Sequence, residues 1–395
     1  MVHQTSNSSS SSATSASSKI NPMANRFQIW AVTTMIVGGL TACASRMPPP
    51  EPIIAPVPAT SSPPQAAVIE QPRSRWIAVA WADLPGFDAD ALHEAWNAWL
   101  LSCSRPGQVF APVCGEVRRL SIGSPEERRA WMQERLQPYR VEALQGGAEG
   151  LLTGYYEPVF DASRLPRPGF AVPLYRPPAG LSAGRPWYSR QQIDRLPQAQ
   201  AALLGQEIAW LADPVDALVL QIQGSGRLRI AEPDGTQRLV RLAFAGSNEH
   251  PYQSVGRWLL DQGLVRDASW AGIKAWVAAN PQRLQEMLWS NPRYIFFREE
   301  PLTDLEVGPR GAQGVPLTPG RSIAVDPLSI PYGTPVWLAT NGPATKLERL
   351  VLAQDTGSAI VGAVRADYFA GWTAQAAELA GRLKQPLQLW VLWPR

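Results

Sequence analysis

Three carboxylates near the C-terminal end of the chain have the residue types and spacing for acid–base chemistry. Asp326 stands between Val325 and Pro327, Asp355 in Gln354-Asp355-Thr356-Gly357, and Asp367 in Arg365-Ala366-Asp367-Tyr368-Phe369. Apolar, strand-forming runs adjoin them, Val351-Leu352-Ala353 before Asp355 and Ile360-Val361 after it, while Ile330-Pro331-Tyr332-Gly333-Thr334 and Gly357 supply turns. Strands joined in this way can bring carboxylates from separate turns into one cleft. A carboxyl held near others or in an apolar groove has its pKa raised, so it carries a proton at working pH and can donate it. Cleavage of a glycosidic bond requires such an acid. Taken singly, each has a plainer role. Asp326 before Pro327 can open a turn, Asp355 can bond its own backbone as a turn aspartate, and Asp367 can cap the helix expected after it.

The elements that must position these residues begin near Trp76, where Ile77, Val79 and Trp81 alternate with small residues. Apolar residues then recur at helical spacing over 90–101, and Ser124 with Glu126 and Glu127 predicts a capped helix over 125–136. The run Leu151-Leu152-Thr153-Gly154-Tyr155-Tyr156-Glu157-Pro158-Val159 reads as a strand with a glycine break, whose two tyrosines point to opposite faces. Short helices are expected at 189–196 and 198–204. The apolar run 217–223 reads as a strand that ends in Gly224-Ser225-Gly226. That glycine pair is neither a dinucleotide loop, which needs a third glycine, nor a nucleophile elbow, which needs Gly-x-Ser-x-Gly. Further helices are expected at 258–263, 273–279, 282–289 and 373–383, with strands at 294–297 and 387–393.

Composition narrows the class. A net charge of +3 with 17% charged residues and no basic block leaves no footprint for nucleic acid. The three histidines, His3, His93 and His250, stand at no metal-ligand spacing, so neither a metal nor another cofactor is expected, and none sits in a recognisable Ser-His-Asp context. Asp355-Thr356-Gly357-Ser358 also resembles the loop of aspartic proteases, but those need a second such aspartate and the chain has no second copy. Sixteen tryptophans suit core packing and, equally, the apolar faces of sugars.

Met23 opens a segment that reads as an export signal, with Arg26 ahead of an apolar run over 27–40 that is short for a membrane span. It ends in Leu40-Thr41-Ala42-Cys43, which resembles the bacterial lipobox, whose cysteine is lipidated and becomes the mature N-terminus. Ala44 in the next position implies sorting to the outer membrane. The plainer alternative is a weak transmembrane anchor with an ordinary cysteine. Nine prolines in 44–72 mark a linker that, in polyproline-like extension, would reach roughly 90 Å at about 3.1 Å per residue. In an exported chain Cys103 and Cys114 are candidates for a short disulfide.

The order AVDP, IPYGT, AQDTGSAIVG and RADYF resembles the C-terminal three-aspartate module of the membrane-bound lytic murein transglycosylase A family, and GYYEP and QIQGSG continue the likeness from about residue 150 to the C-terminus. The resemblance implies a mainly β fold with flanking helices, a double-psi β-barrel domain with an inserted second β-barrel domain and a groove between them. Its boundaries are 1–43 for leader and signal, 44–72 for the linker, 73–155 plus 299–395 for the barrel that carries the aspartates, and 156–298 for the insert. Asp367 matches the family's catalytic acid, and Asp326 and Asp355 its companions, which would hold the loop and bias the proton onto Asp367 by repulsion. Tyr155, Tyr156, Glu157, Gln223, Gly224, Ser225 and Gly226 become candidates for binding substrate, although cross-strand packing and turn formation account for them about as well.

The implied function is cleavage of the β-1,4 bond between N-acetylmuramic acid and N-acetylglucosamine in peptidoglycan, leaving 1,6-anhydromuramic acid ends. The implied location is the outer membrane, facing the periplasm and anchored through Cys43, where peptidoglycan strands and other cell-wall enzymes are the partners at hand. Two alternatives stay open on the residues alone: a non-catalytic peptidoglycan-binding lipoprotein, and a hydrolytic muramidase that uses water.

Overall fold

The computed structural model describes residues 66–395, which fold around two β-sheets. In chain order, β1 (Val68–Glu70), β2 (Arg75–Ala78), β3 (Leu136–Glu142) and β4 (Gly150–Tyr155) belong to the first sheet. β5 (Val159–Ser163), β6 (Val172–Tyr175), β7 (Glu207–Leu211), β8 (Ser225–Ala231), β9 (Gln237–Ser247) and β10 (Ile295–Pro301) form the second. β11 (Ser322–Val325), β12 (Pro335–Asn341), β13 (Lys346–Asp355), β14 (Arg365–Phe369) and β15 (Lys384–Pro394) return to the first.

The first sheet runs β1-β2-β3-β15-β12-β13-β11-β14-β4, and β4 pairs in turn with β15. Six strands, β15, β12, β13, β11, β14 and β4, therefore close into a barrel, with β11–β13 and β14–β4 parallel. Alternation along these strands sends Ile323 and Val325, Val336 and Leu338, Val351 and Ala353, and Ala366 and Tyr368 into one buried cluster. Their sequence neighbours face outward. On one side that outer face is covered by the helix Leu92–Ser102, whose Leu92, Ala95, Trp96 and Trp99 recur at helical spacing and pack on Trp337, Leu350 and Leu352. Trp96, Trp99 and Trp131 stack with ring centroids 5.2–5.7 Å apart. Much of the tryptophan content is thus core.

The second sheet runs β10-β9-β8-β5-β7-β6 and curls until its edge strands β10 and β6 come into contact. The fold is mainly β with flanking helices, as the family resemblance implied.

Local signals explain most elements. Ser124 and Glu127 form a reciprocal capping box at the start of the helix Pro125–Arg135, Glu127 Oε2 accepting from Ser124 N at 2.7 Å. One expectation is corrected. The run 217–223 is not a strand but part of the helix Pro214–Gln223. Asp213 Oδ1 caps it by accepting from Val215 N at 2.8 Å, Pro214 occupies its first turn, and Gly224, at φ 78°, ends it in the left-handed region. A continuous apolar run fits a buried helix as well as a buried strand, and the flanking caps decide.

The linker expected over 44–72 is corrected at its end, because Val68–Glu70 pairs antiparallel with β2. The two β-branched residues Val68 and Ile69 suffice for a short edge strand despite the proline-rich sequence around them. The leader, Cys43 and the rest of the linker lie outside the described residues.

Cys103 and Cys114 are disulfide-bonded, closing the turn that follows the helix Leu92–Ser102. Replacing both by serine should lower unfolding free energy by about 2–3 kcal/mol, the loop-closure value for a short ring. Parallel urea titrations of oxidised and double-variant protein measure it.

Candidate active site

The register of three strands places the aspartates. Ala324 on β11 pairs with Asp355 of β13 on one side and Asp367 of β14 on the other, and Asp367 pairs in turn with Thr153 of β4. Asp355, Ala324, Asp367 and Thr153 thus form one row on the outer face of the barrel. With two strand spacings between them, the aspartate Cα atoms stand roughly 10 Å apart. Ala324, the smallest side chain in the row, leaves room above it. All four residues line a cavity of about 260 Å³ between the barrel and the second sheet. Its other wall carries Arg190, Gln221, Gln223, Tyr252, Asn291 and Arg293, and no tryptophan among the described residues lines it.

The two carboxyls are held differently. Asp355 Oδ1 accepts from Ala312 N at 2.9 Å and Oδ2 from the Tyr155 hydroxyl at 2.9 Å. Burial pushes its pKa up to about 6, against the pull of the Thr356, Tyr155 and Ala312 donors and with further help from the charge of Asp367. Asp367 accepts a single bond, on Oδ1, from Thr153 Oγ1 at 2.5 Å. Thr153 Oγ1 itself accepts from Arg365 Nη2 at 2.8 Å. A guanidinium can only donate, so the one hydroxyl proton of Thr153 is committed to Asp367 Oδ1. Oδ2 makes no hydrogen bond among the described residues and is left to carry a proton. Burial raises the Asp367 pKa, opposed by Thr153 and by the charge of Arg365.

Asp326 does not line the cavity. It is buried at the end of β11, where Oδ2 accepts from Arg73 Nη1 and Gly362 N, both at 2.8 Å, and Oδ1 from Leu328 N at 3.0 Å. Burial alone would raise its pKa, but these donors outweigh it and hold the carboxyl below its ordinary value. Asp326 therefore ties loops together, and Arg73 offsets the negative charge expected to favour protonated Asp367 by like-charge repulsion.

Of the other expected site residues, Tyr155 and Gln223 reach the cavity, the first with its hydroxyl spent on Asp355, the second accepting from Tyr156 N at 3.0 Å. The Tyr156 side chain packs against a buried cluster with Leu218 and Val219. Gly224, Ser225 and Gly226 do not line the cavity. Gly224 ends a helix, Ser225 begins β8, and a Cβ on Gly226 would stand 2.2 Å from Leu220 Cδ1. Glu157 also lies outside it. It is fully buried, with Oε2 2.8 Å from Arg227 Nε and Oε1 2.5 Å from Arg241 Nε, and those arginines donate onward to the Leu305 and Val307 carbonyls. The family likeness made Glu157 a candidate for binding substrate, but two arginines from β8 and β9 claim it.

Sequence reading passed over Thr153, Arg365, Ala324, Tyr252, Arg190 and Arg293. Arg365 was within reach, since residues two apart on a strand share a face, and so was Thr153, two residues before Tyr155. Ala324 stands two residues before Asp326, while Tyr252, Arg190 and Arg293 come from distant segments.

Raised-pKa carboxyls in a cleft rich in hydrogen-bond donors are the arrangement that acid–base chemistry on a polar substrate uses. Comparison with known proteins supplies the family. Residues 151–298 match the MltA specific insert domain, and residues 321–393 match the 3D domain. A membrane-bound lytic murein transglycosylase A of Vibrio cholerae is 30% identical over 305 residues, which span 71% of this chain and 78% of that protein. Among solved structures, the lytic transglycosylase LtgG of Burkholderia pseudomallei is 42% identical with a TM-score of 0.57, covering 85% of this chain and 98% of its own. MltA from Neisseria gonorrhoeae is 31% identical with a TM-score of 0.69, covering 84% and 96%. The chain belongs to the membrane-bound lytic murein transglycosylase A family. It is a peptidoglycan-cleaving lytic transglycosylase of the cell envelope, and the non-catalytic alternative falls away.

Two outcomes follow from the geometry. Glu157→Ala strands two buried guanidiniums and should destabilise the fold by about 3–5 kcal/mol. Denaturant titration of the variant beside the parent protein measures it. Asp355, whose folded pKa of about 6 exceeds its ordinary 3.8, favours the folded state below pH 3.8 and loses that contribution as pH rises through 6. The loss amounts to at most about 3 kcal/mol, at about 1.4 kcal/mol per pH unit. The fall in melting temperature between pH 4 and 6.5 should therefore flatten in Asp355→Asn.

Proposed function

We propose that the enzyme cleaves the β-1,4 bond between N-acetylmuramic acid and N-acetylglucosamine with Asp367 as its single acid and base, leaving a 1,6-anhydromuramic acid end. The free Oδ2 of Asp367 carries this reading, because both oxygens of Asp355 are already occupied by donors. Protonated Asp367 donates to the glycosidic oxygen as the C1–O bond breaks, and N-acetylglucosamine departs with a free 4-hydroxyl. The C6 hydroxyl of the same muramoyl residue then attacks C1, and its proton passes to the Asp367 carboxylate. No water is consumed and the acid is regenerated. Asp355 holds the loop 355–360 beside the reacting bond, Asp326 the turn below it, and Gln223 offers its amide to the sugar. The protein is anchored in the outer membrane through lipidated Cys43, with its globular part in the periplasm.

Mass spectrometry of muropeptides released from purified sacculi by protein starting after Cys43 tests the chemistry. Anhydro ends are expected, and Asp367→Asn should release none; reducing ends instead would mean a hydrolase. Thr153→Val tests the proton's placement. It removes a donor that favours ionised Asp367, so the alkaline limb of the pH–rate profile should move to higher pH while the maximal rate falls, by roughly the 10²-fold typical of a displaced acid.

A further inference from the structure

Buried arginines away from the cavity are held in two ways: Arg227 and Arg241 share Glu157 and Arg321 meets Asp90 at 2.9 Å, whereas Arg128 donates to the Leu120 and Ser121 carbonyls and lies over the Trp96 ring. Arg190 is as deeply placed, 5% exposed, yet among the described residues no carboxylate oxygen lies within 4.0 Å of it. Its Nε donates to Asn291 O at 3.1 Å, and its Nη2 to Gln221 Oε1 at 2.5 Å and Arg293 O at 2.7 Å, all neutral acceptors. The guanidinium lies over the Tyr294 ring, 4.9 Å from its centroid, and among the described residues Nη1 makes no hydrogen bond. Beside it, half-buried Arg293 makes one side-chain bond, from Nη1 to His250 O at 3.1 Å, and likewise has no carboxylate within 4.0 Å among the described residues. Both line the cavity with the aspartates. Removing a guanidinium from water without a counter-charge costs several kcal/mol, and at this cavity two such groups face the space where substrate would lie.

We infer that Arg190 and Arg293 form a carboxylate subsite that recognises the acid carried by the muramoyl residue and so sets the register of the glycan strand over Asp367. Peptidoglycan alternates two sugars with the same backbone linkage, and only muramic acid bears a lactyl group. In a peptide-free strand that group ends in a free carboxylate; in an intact strand it is an amide, and the carboxylates belong to the peptide beyond it. A planar guanidinium fork accepts either. Holding that acid on the wall opposite the barrel brings the muramoyl C1, and not that of the neighbouring sugar, to the proton donor.

The inference rests on peptidoglycan as the substrate, and binding tests it separately from catalysis. In an Asp367→Asn background, calorimetry compares equal-length chitooligosaccharides, which carry no carboxylate, with peptide-free and peptide-bearing muramoyl oligosaccharides. One of the muramoyl ligands should bind about tenfold tighter than chitooligosaccharide, as one charge-assisted contact allows. Which of them does identifies the lactyl or the peptide carboxylate. Arg293→Gln, with folding checked by circular dichroism, should abolish the preference and leave chitooligosaccharide affinity unchanged, and Arg293→Lys should restore part of it. Equal affinities for all three ligands, or an equal loss for all in Arg293→Gln, would overturn the subsite. If Asp367→Asn still cleaves, mass spectra of the same samples reveal it, the acid assignment fails, and the preference is read as Ki for chitooligosaccharide against KM for muramoyl strands.

Discussion

A β-bulge between Ile323 and Ala324 is the constraint on which the active site depends. Ile323 pairs with Ala353, but Ala324 pairs with Asp355, so Gln354 is the extra residue. Val351 and Ala353 point into the barrel, and strict alternation would send Asp355 inward after them. The bulge resets the parity and turns Asp355 outward beside Ala324. Gln354 is absorbed by the helix Leu92–Ser102, donating to Ala98 O and Ser102 Oγ, both at 2.8 Å, while its Oε1 accepts from Ser322 Oγ at 2.5 Å. A buried amide with every partner supplied makes the bulge the preferred register, since a slip would leave those groups unpaired.

The second sheet must in turn stand at a fixed distance from the barrel, or the cavity closes or gapes. Glu157 sits just after β4, the barrel strand that leads into the second sheet, and it grips Arg227 of β8 and Arg241 of β9. Those arginines also hold the returning segment through the Leu305 and Val307 carbonyls, and Arg227 lies 4.1 Å from the Trp372 ring centroid, beyond β14. One buried charge cluster thus joins the outgoing strand, the second sheet and the returning chain. Such clusters add little net stability, but they penalise any other arrangement heavily.

This explains what could be read from the residues. The capped helices follow from period and caps, which are local signals, while the mainly β character and the meeting of Asp355 and Asp367 were implied by the family likeness that the motif order carries. Glu157 and the run 217–223 were misjudged for opposite reasons. The helix was locally marked by Asp213, Pro214 and Gly224, yet the apolar run outweighed those caps. Glu157 carries no local mark at all: its arginines lie 70 and 84 residues away in sequence. Asp326 fell between the two. Its turn was legible before Pro327, but its neutralisation by Arg73 was not, being a contact across 253 residues. A side chain's charge environment is a property of topology, so motif order can bring carboxylates together without revealing which of them is left free to titrate.

Asp326 and Asp367 show how small the difference is. Both are partly or wholly removed from water, and both have an arginine at hand. Arg73 meets Asp326 directly at 2.8 Å, and the carboxyl stays ionised. Arg365 reaches Asp367 only through the Thr153 hydroxyl, and the pKa remains raised. A group that must first give and then take the same proton gains nothing from an extreme pKa, since a stronger acid is a weaker base. In the mechanism proposed above Asp367 is such a group, with burial set against a charge relayed by one hydroxyl. Because the charge of Asp367 also raises the pKa of Asp355, a pH–rate profile reports the titration of the pair, and Thr153 is the position where the two can be told apart.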